Sequence, residues 1–213
     1  MIKVLLVDDH QLVRAGIRRI LDESEDVEVC AEAGSGEEAL SLVRWTRPEV
    51  VLMDVNMPGI GGLEATRKLL RIDENLKIIA LTVHMEEPYP SLLLEAGAMG
   101  YLTKGCCEQE ILTAIRTVYK GERYIGSDIA RLLALSGLSG KSRNPFDRLS
   151  QREIQVMMMI TQGHKVQEIS DILCLSPKTV STYRYRLYEK LGVSNDVELT
   201  HLAIRHAMIS SPQ

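Results

Sequence analysis

A chain of 213 residues that is 45% hydrophobic and 25% charged has ordinary globular composition and length for two compact domains, which excludes wholesale disorder and a fibrous repeat. Its net charge of -4 excludes a uniformly basic nucleic-acid coat. The average hides an asymmetry: residues 1–122 hold 13 Lys and Arg against 21 Asp and Glu, a net of -8, and residues 123–213 hold 12 against 8, a net of +4.

The front half alternates short apolar runs with helix-length amphipathic stretches. Val4–Val7 precedes Leu12–Leu21, Val27–Ala31 precedes Gly36–Val43, and Val50–Met53 precedes Leu63–Leu70. Ile78–Leu81 then precedes Ser91–Ala96, and Tyr101–Leu102 precedes Ile111–Tyr119. Five strand–helix units predict an α/β fold, a five-stranded doubly wound parallel sheet with helices on both faces. The strands are continuously apolar, as burial on both faces requires. After Gly121 this pattern stops. Residues 122–146 read as a linker, Ser/Gly-rich over 136–146, with a possible short helix over Asp128–Leu135.

From Leu149 the signals are helical, giving a second, all-α domain of four helices over residues 147–213. Ser150 and Glu153 form a capping box that opens a run to Ile160. Val166–Leu173 is the second helix. Ser176 and Pro177 open a third that runs to Leu191 before Gly192, and Asp196 is the expected cap of a fourth over Val197–Met208. Cys30, Cys106, Cys107 and Cys174 make no zinc-type spacing, no run suits a membrane span, and Ile2–Val7 is too short for a signal peptide core. A reduced, cytoplasmic protein without a membrane partner is expected.

In a doubly wound sheet, ligands sit beyond the carboxyl ends of the strands where the winding reverses. Asp8 and Asp9 follow the first strand there, and Asp54 ends the third. One such Asp is as often a helix cap as a ligand, but three converging carboxylates repel unless a hard divalent cation neutralises them, and magnesium suits that role. Thr82 and Lys104 end two further strands. Acids, a hydroxyl and a lysine on one rim make a phosphoryl site in which a carboxylate can attack phosphorus.

Val-Asp-Asp-His at 7–10, Leu-Met-Asp-Val-Asn-Met-Pro-Gly at 52–59, Leu-Thr-Val-His at 81–84 and Gly-Tyr-Leu-Thr-Lys at 100–104 resemble a response-regulator receiver domain, here residues 1–121. That resemblance implies a flavodoxin-like strand order and Asp54 as phosphoacceptor. It further implies Asp9, Asp54 and the backbone carbonyl of Asn56 as Mg2+ ligands, with Asp8 as supporting acid. Thr82 would be the switch hydroxyl, Lys104 its ion-pair partner and Tyr101 the aromatic that repacks. Haloacid-dehalogenase-type phosphohydrolases place a second Asp two residues after the attacking one; Asp54 is followed by Val55-Asn56, which favours a lasting aspartyl phosphate over turnover.

In the third helix of the tail, Val180, Tyr183, Leu187 and Leu191 share one side and Lys178, Ser181, Thr182, Tyr185 and Arg186 the other. Preceded by Lys165–Leu173 and the turn Cys174-Leu175-Ser176, this is helix-turn-helix organisation. Leu149–Glu153, Leu175–Val180 and Lys190–Val193 resemble the LuxR-type helix-turn-helix of NarL/FixJ regulators. Base readout by Ser181, Thr182 and Tyr185 follows from that resemblance, as do backbone contacts by Lys178, Thr179 and Arg186 and a closing helix used for dimerisation. Two departures stand out. Val166-Gln167 replaces the family's Asn-Lys, and Pro88 and Pro90 predict a shortened fourth receiver helix.

With Gly-Ile-Gly-Gly-Leu-Glu-Ala-Thr-Arg-Lys at 59–68, His84 with Pro88 and Pro90, and Leu-Ser-Pro-Lys-Thr-Val-Ser-Thr-Tyr-Arg-Tyr-Arg-Leu at 175–187, the chain closely resembles the GacA/UvrY subgroup. The expectation is a non-enzymatic transcriptional regulator, an activator, phosphorylated on Asp54 by a sensor histidine kinase of the GacS/BarA type and binding promoter DNA as a homodimer. Residues 147–213 carry only eight Lys and Arg against seven Asp and Glu, so a monomer should bind DNA weakly. The competing readings are a phosphorylation-independent DNA-binding dimer and an aspartyl-phosphate phosphatase.

Overall fold

The computed structural model describes residues 1–83, 89–131, 145–206 and 208–209. The chain divides into two compact units, Met1–Gly140 and Lys141–Gln213. In the first, β1 (Ile2–Val7), α1 (Gln11–Asp22), β2 (Val27–Ala33), α2 (Gly36–Thr46), β3 (Val50–Asp54) and α3 (Gly61–Ile72) follow in turn. They are succeeded by β4 (Lys77–Thr82), α4 (Tyr89–Glu95), β5 (Gly100–Thr103), α5 (Glu108–Tyr119) and β6 (Tyr124–Ile125). The strands pair in the order β2-β1-β3-β4-β5-β6, all parallel. The winding therefore reverses between β1 and β3, the position that opens a crevice at the strands' carboxyl ends.

The central strands are apolar throughout because helices cover both faces: Val4 to Val7, Val50 to Met53 and Ile78 to Ala80 are entirely buried. On one face Leu6, Leu52, Ile79 and Leu81 meet Ile17 and Leu21 of α1 and Ile111 and Ile115 of α5. Each such side chain contributes about 1.5–3 kcal/mol on burial. On the other face α3 starts hard against the end of β3. A Cβ at Gly62 would lie 2.1 Å from the Asp54 carbonyl oxygen, so only glycine lets the helix begin there.

The five expected strands form, and β6 adds a sixth beside β5 (Gly100 opposite Tyr124, Tyr101 opposite Ile125). Two residues are too few to show a hydrophobic period, which hid it. Within the expected linker, the short helix anticipated over Asp128–Leu135 is present as far as the described residues go, its remainder lying outside them. Residues 127–131 are helical, and Phe146 is buried in the second unit with its ring edge-on to His206 at 5.7 Å. Most of the Ser/Gly stretch, with His84 and Pro88, lies outside the described residues. Helix α4 spans seven residues against twelve for α3 and α5, with Pro90 in its first turn, where the missing N–H has no helical partner to lose.

The second unit opens with a 3-10 turn (Pro145–Arg148), then α6 (Gln151–Thr161), α7 (Val166–Leu173), α8 (Pro177–Leu191) and α9 (Asp196–Arg205). The Ser150–Glu153 capping box forms, and the Ser176 hydroxyl accepts the Thr179 N–H to start α8. Two expectations for the last helix are corrected. Asn195 is the cap, its side chain accepting the Glu198 N–H, and the helix stops at Arg205, short of Met208. With Asn195 in that role, Asp196 becomes the first helical residue and its carboxylate turns to Arg184.

Candidate functional site

The strand ends deliver four of the expected site residues to one rim. Asp8 follows β1 and is fully buried; Asp54, the last residue of β3, is buried too. From the far end of the sheet Lys104 places its Nζ 2.8 Å from Asp54 Oδ2 and 2.8 Å from Asp8 Oδ2. Asp54 Oδ1 accepts the Asn56 N–H at 3.0 Å. Thr82 is buried at the end of β4, its carbonyl accepting the Lys104 N–H at 2.7 Å, which sets where the lysine leaves the sheet. Tyr101 is buried on β5 opposite Ala80.

Burial pushes the Asp54 carboxyl up to about 6, with Lys104 opposing and Asp8 adding to the rise. Burial works against the Lys104 charge, but its hydrogen bond to Asp54 and the negative charges of Asp54 and Asp8 hold its ammonium above its ordinary value. Asp9 is exposed and stands beside them. Asp8, Asp9, His10 and Asp54 each offer a ligand atom, and these lie within 4.8 Å of one another. Asp8 Oδ2 is wholly buried, with an ammonium close by but no aligned hydrogen-bond donor. Three carboxylates facing one lysine leave excess negative charge of the sort a hard divalent cation offsets, so the residues fit such an ion.

Sequence reasoning missed the residues that hold this rim. His10 Nδ1 lies 2.9 Å from Asp9 Oδ1 and 3.5 Å from Asp8 Oδ1, while its N–H donates to Asp8 Oδ1. Arg14 donates to the Asp8 carbonyl at 2.7 Å and to Glu32 at 3.0 Å, bracing the β1–α1 turn. Glu37 of α2 accepts the Ile60 N–H at 3.0 Å, securing the turn after Asp54. His10 was visible only as a neighbour of two acids. The other pairs join distant segments and leave no local period.

On α8, Val180 and Leu187 are buried and Tyr183 and Leu191 half-buried. Lys178, Ser181, Thr182, Tyr185 and Arg186 are exposed together, with Tyr185 at 70%. Two hydroxyls are already engaged: Thr179 Oγ1 shares a 2.7 Å hydrogen bond with Ser176, and Thr182 donates to the Lys178 carbonyl. Thr179 is half-buried in the cap and stands apart from the exposed set.

Two clamps fix α8. Lys190 Nζ lies 2.7 Å from Glu153 Oε2, the carboxylate of the α6 capping box. Arg184 grips Asp196 with two donors, its Nε at 3.0 Å, and the Tyr188 hydroxyl donates to the same carboxylate.

Fold and site together define a doubly wound α/β domain with an acidic pocket at its switch point, followed by a four-helix helix-turn-helix domain. Residues 4–116 match the response regulator receiver domain family, and residues 147–203 match the luxR family of bacterial regulatory proteins. The chain is 58% identical to the response regulator UvrY of Escherichia coli K12, over 99% of this chain and 97% of that one. It is 56% identical to the response regulator GacA of Pseudomonas aeruginosa, over 99% of both. Among solved structures it is similar to RcsB from Salmonella enterica serovar Typhimurium bound to promoter rprA in the presence of phosphomimetic BeF3-. That match has 28% identity and a TM-score of 0.74, covering 95% of this chain and 98% of that one. The chain therefore belongs to the response-regulator family, with a receiver domain and a LuxR-type DNA-binding domain, and is a transcriptional regulator of the two-component type. Among the described residues no helix is long and apolar enough to cross a membrane.

Proposed function

We propose that Asp54 is the phosphoacceptor of a receiver spanning residues 1–121, and that its phosphorylation controls DNA binding by residues 147–213 through the segment 122–146. The observation that carries this is the placement of Asp54: a buried carboxylate at the switch point, with one oxygen on Lys104 at 2.8 Å and the other on the Asn56 N–H at 3.0 Å. A carboxylate oxygen of Asp54 forms the new O–P bond as the P–N bond of a kinase phosphohistidine breaks, its electron pair returning to the imidazole nitrogen. The similarity to UvrY and GacA supports a donor kinase of the GacS/BarA type.

Asp9, Asp54 and the Asn56 carbonyl would hold Mg2+, with Asp8 as the supporting acid. When bound, the cation supplies positive charge against the phosphoryl oxygens. Lys104 stands ready to follow one of those oxygens, since its ammonium already sits between Asp8 and Asp54. Phosphorylation adds up to about two negative charges at this rim, which draws the Thr82 hydroxyl inward and lets Tyr101 repack. No side chain stands in the role of a hydrolytic acid two residues after Asp54, where the chain has Asn56, so a switch is favoured over an enzyme.

On DNA, the exposed set Ser181, Thr182 and Tyr185 reads bases, while Lys178, Thr179 and Arg186 meet the backbone. A phosphorylated homodimer acting as an activator in the cytoplasm completes the reading. Intact mass after incubation with Mg2+ and a small phosphodonor, followed by gel shift on promoter DNA, tests it. One phosphate on the wild type, none on Asp54→Asn, and tighter DNA binding only for the modified chain is the expected result. An unmodified wild type with unchanged DNA binding would overturn it.

A further inference from the structure

Helix α8 carries four cations, Lys178, Arg184, Arg186 and Lys190, and two of them are already spent inside the domain. Lys190 is on Glu153, and Arg184 is held by both oxygens of Asp196 with Tyr188 bridging. Among the described residues no carboxylate pairs with Lys178 or Arg186, and both are exposed. Arg184 lies three residues beyond Ser181 and so on the same side of the helix one turn on, at the edge of the exposed face. Its side chain is 37% exposed and that of Asp196 40%, and a pair so open to water contributes little to stability. Its larger effect is on charge. An arginine at the rim of a DNA-reading face would otherwise neutralise a phosphate of any sequence, raising affinity for all DNA alike.

We propose that Asp196 is a specificity-determining residue for DNA binding. By holding Arg184 it keeps that cation off the phosphate backbone, so that Lys178 and Arg186 are the α8 cations that grip nonspecific duplex. The same contact ties the middle of α8 to the first turn of α9, which fixes the rotation at which Ser181, Thr182 and Tyr185 are presented. The inference rests on α8 being the DNA-reading helix.

The test uses the full chain and a random-sequence DNA duplex, with affinity followed by anisotropy across a salt series. Asp196→Asn is expected to steepen the slope of log K against log salt by about 0.9 per protomer, the value of one added phosphate contact. Arg184→Met should leave the wild-type slope unchanged, and the double variant should return to it. A purely structural role would shift thermal unfolding without moving these slopes. No steepening in Asp196→Asn overturns the proposal. So does a flatter slope in Arg184→Met, which would place Arg184 on a phosphate already; that variant alone decides the matter if Asp196→Asn does not fold. Failure of the wild type to bind duplex at any salt would instead bring down the reading of α8 itself.

Discussion

Lys104 and Asp54, fifty residues apart, meet at 2.8 Å across the ends of β5 and β3, and the same ammonium lies 2.8 Å from Asp8. One cation thus serves two buried carboxylates. Lys104→Met leaves both acids uncompensated and is expected to destabilise the first unit by about 3–5 kcal/mol near neutral pH. Millimolar Mg2+ should restore part of the loss. Thermal unfolding with and without the ion reads this, and an equal Mg2+ effect on wild type and variant would contradict it.

Asp54 titrates against the fold. Its folded value of about 6 lies above the ordinary carboxylate value of about 3.9, so between those values the folded chain binds more protons than the unfolded one. Stability contributed at this site therefore falls as pH rises through that window. Asp54→Asn is expected to stabilise the first unit by on the order of 1–3 kcal/mol above about pH 6 without divalent ions, with the gain shrinking toward about pH 4. Unfolding midpoints of both chains across pH test it; a gap independent of pH would sink the idea.

Glu153 behaves in the opposite sense. Burial opposes its charge, but Lys190 and the Ser150 donors outweigh it and hold the carboxyl below its usual range. Its contribution is present above the unfolded value of about 4.3 and is lost as pH falls through the folded one. Glu153→Ala should cost the second unit about 1–2 kcal/mol at neutral pH, chiefly through the lost capping box, and less in acid. Denaturant unfolding at two pH values measures the difference.

Cys174 closes α7 in a left-handed conformation, φ 53°, ψ 47°, with no glycine to ease it. Cys174→Gly is expected to stabilise the second unit by about 0.5–1 kcal/mol, since the relief of left-handed strain exceeds the added chain entropy. A lower unfolding midpoint in the variant would refute this.

Tyr185 is 70% exposed and lies outside the buried side of α8 formed by Val180 and Leu187. Tyr185→Ala should leave stability within about 0.5 kcal/mol while weakening specific promoter binding by about 1–3 kcal/mol. Equal losses on promoter and random-sequence DNA would show that Tyr185 does not read bases.

The architecture was legible because it is written locally. Continuous apolar runs such as Val50–Met53 mark strands covered on both faces, and Ser150 with Glu153 or Ser176 with Pro177 mark helix starts within four residues of chain. The acids were legible for the same reason, since Asp8, Asp9 and Asp54 sit directly at strand ends. Strand β6 and the true cap Asn195 escaped because two residues carry no period and because adjacent Asn and Asp are equally good caps.

By itself, then, the sequence determined the order of the five long strands and their helices, the doubly wound and helix-turn-helix classes, and which polar residues gather at the strand ends. Tertiary structure alone decided the partners. Lys104 reaches both Asp8 and Asp54, Arg14 braces the Asp8 carbonyl against Glu32, and Arg184 turns to Asp196 and not outward. Local signals arise from backbone geometry repeating every two or 3.6 residues, whereas these charge pairs depend on where distant segments come to rest.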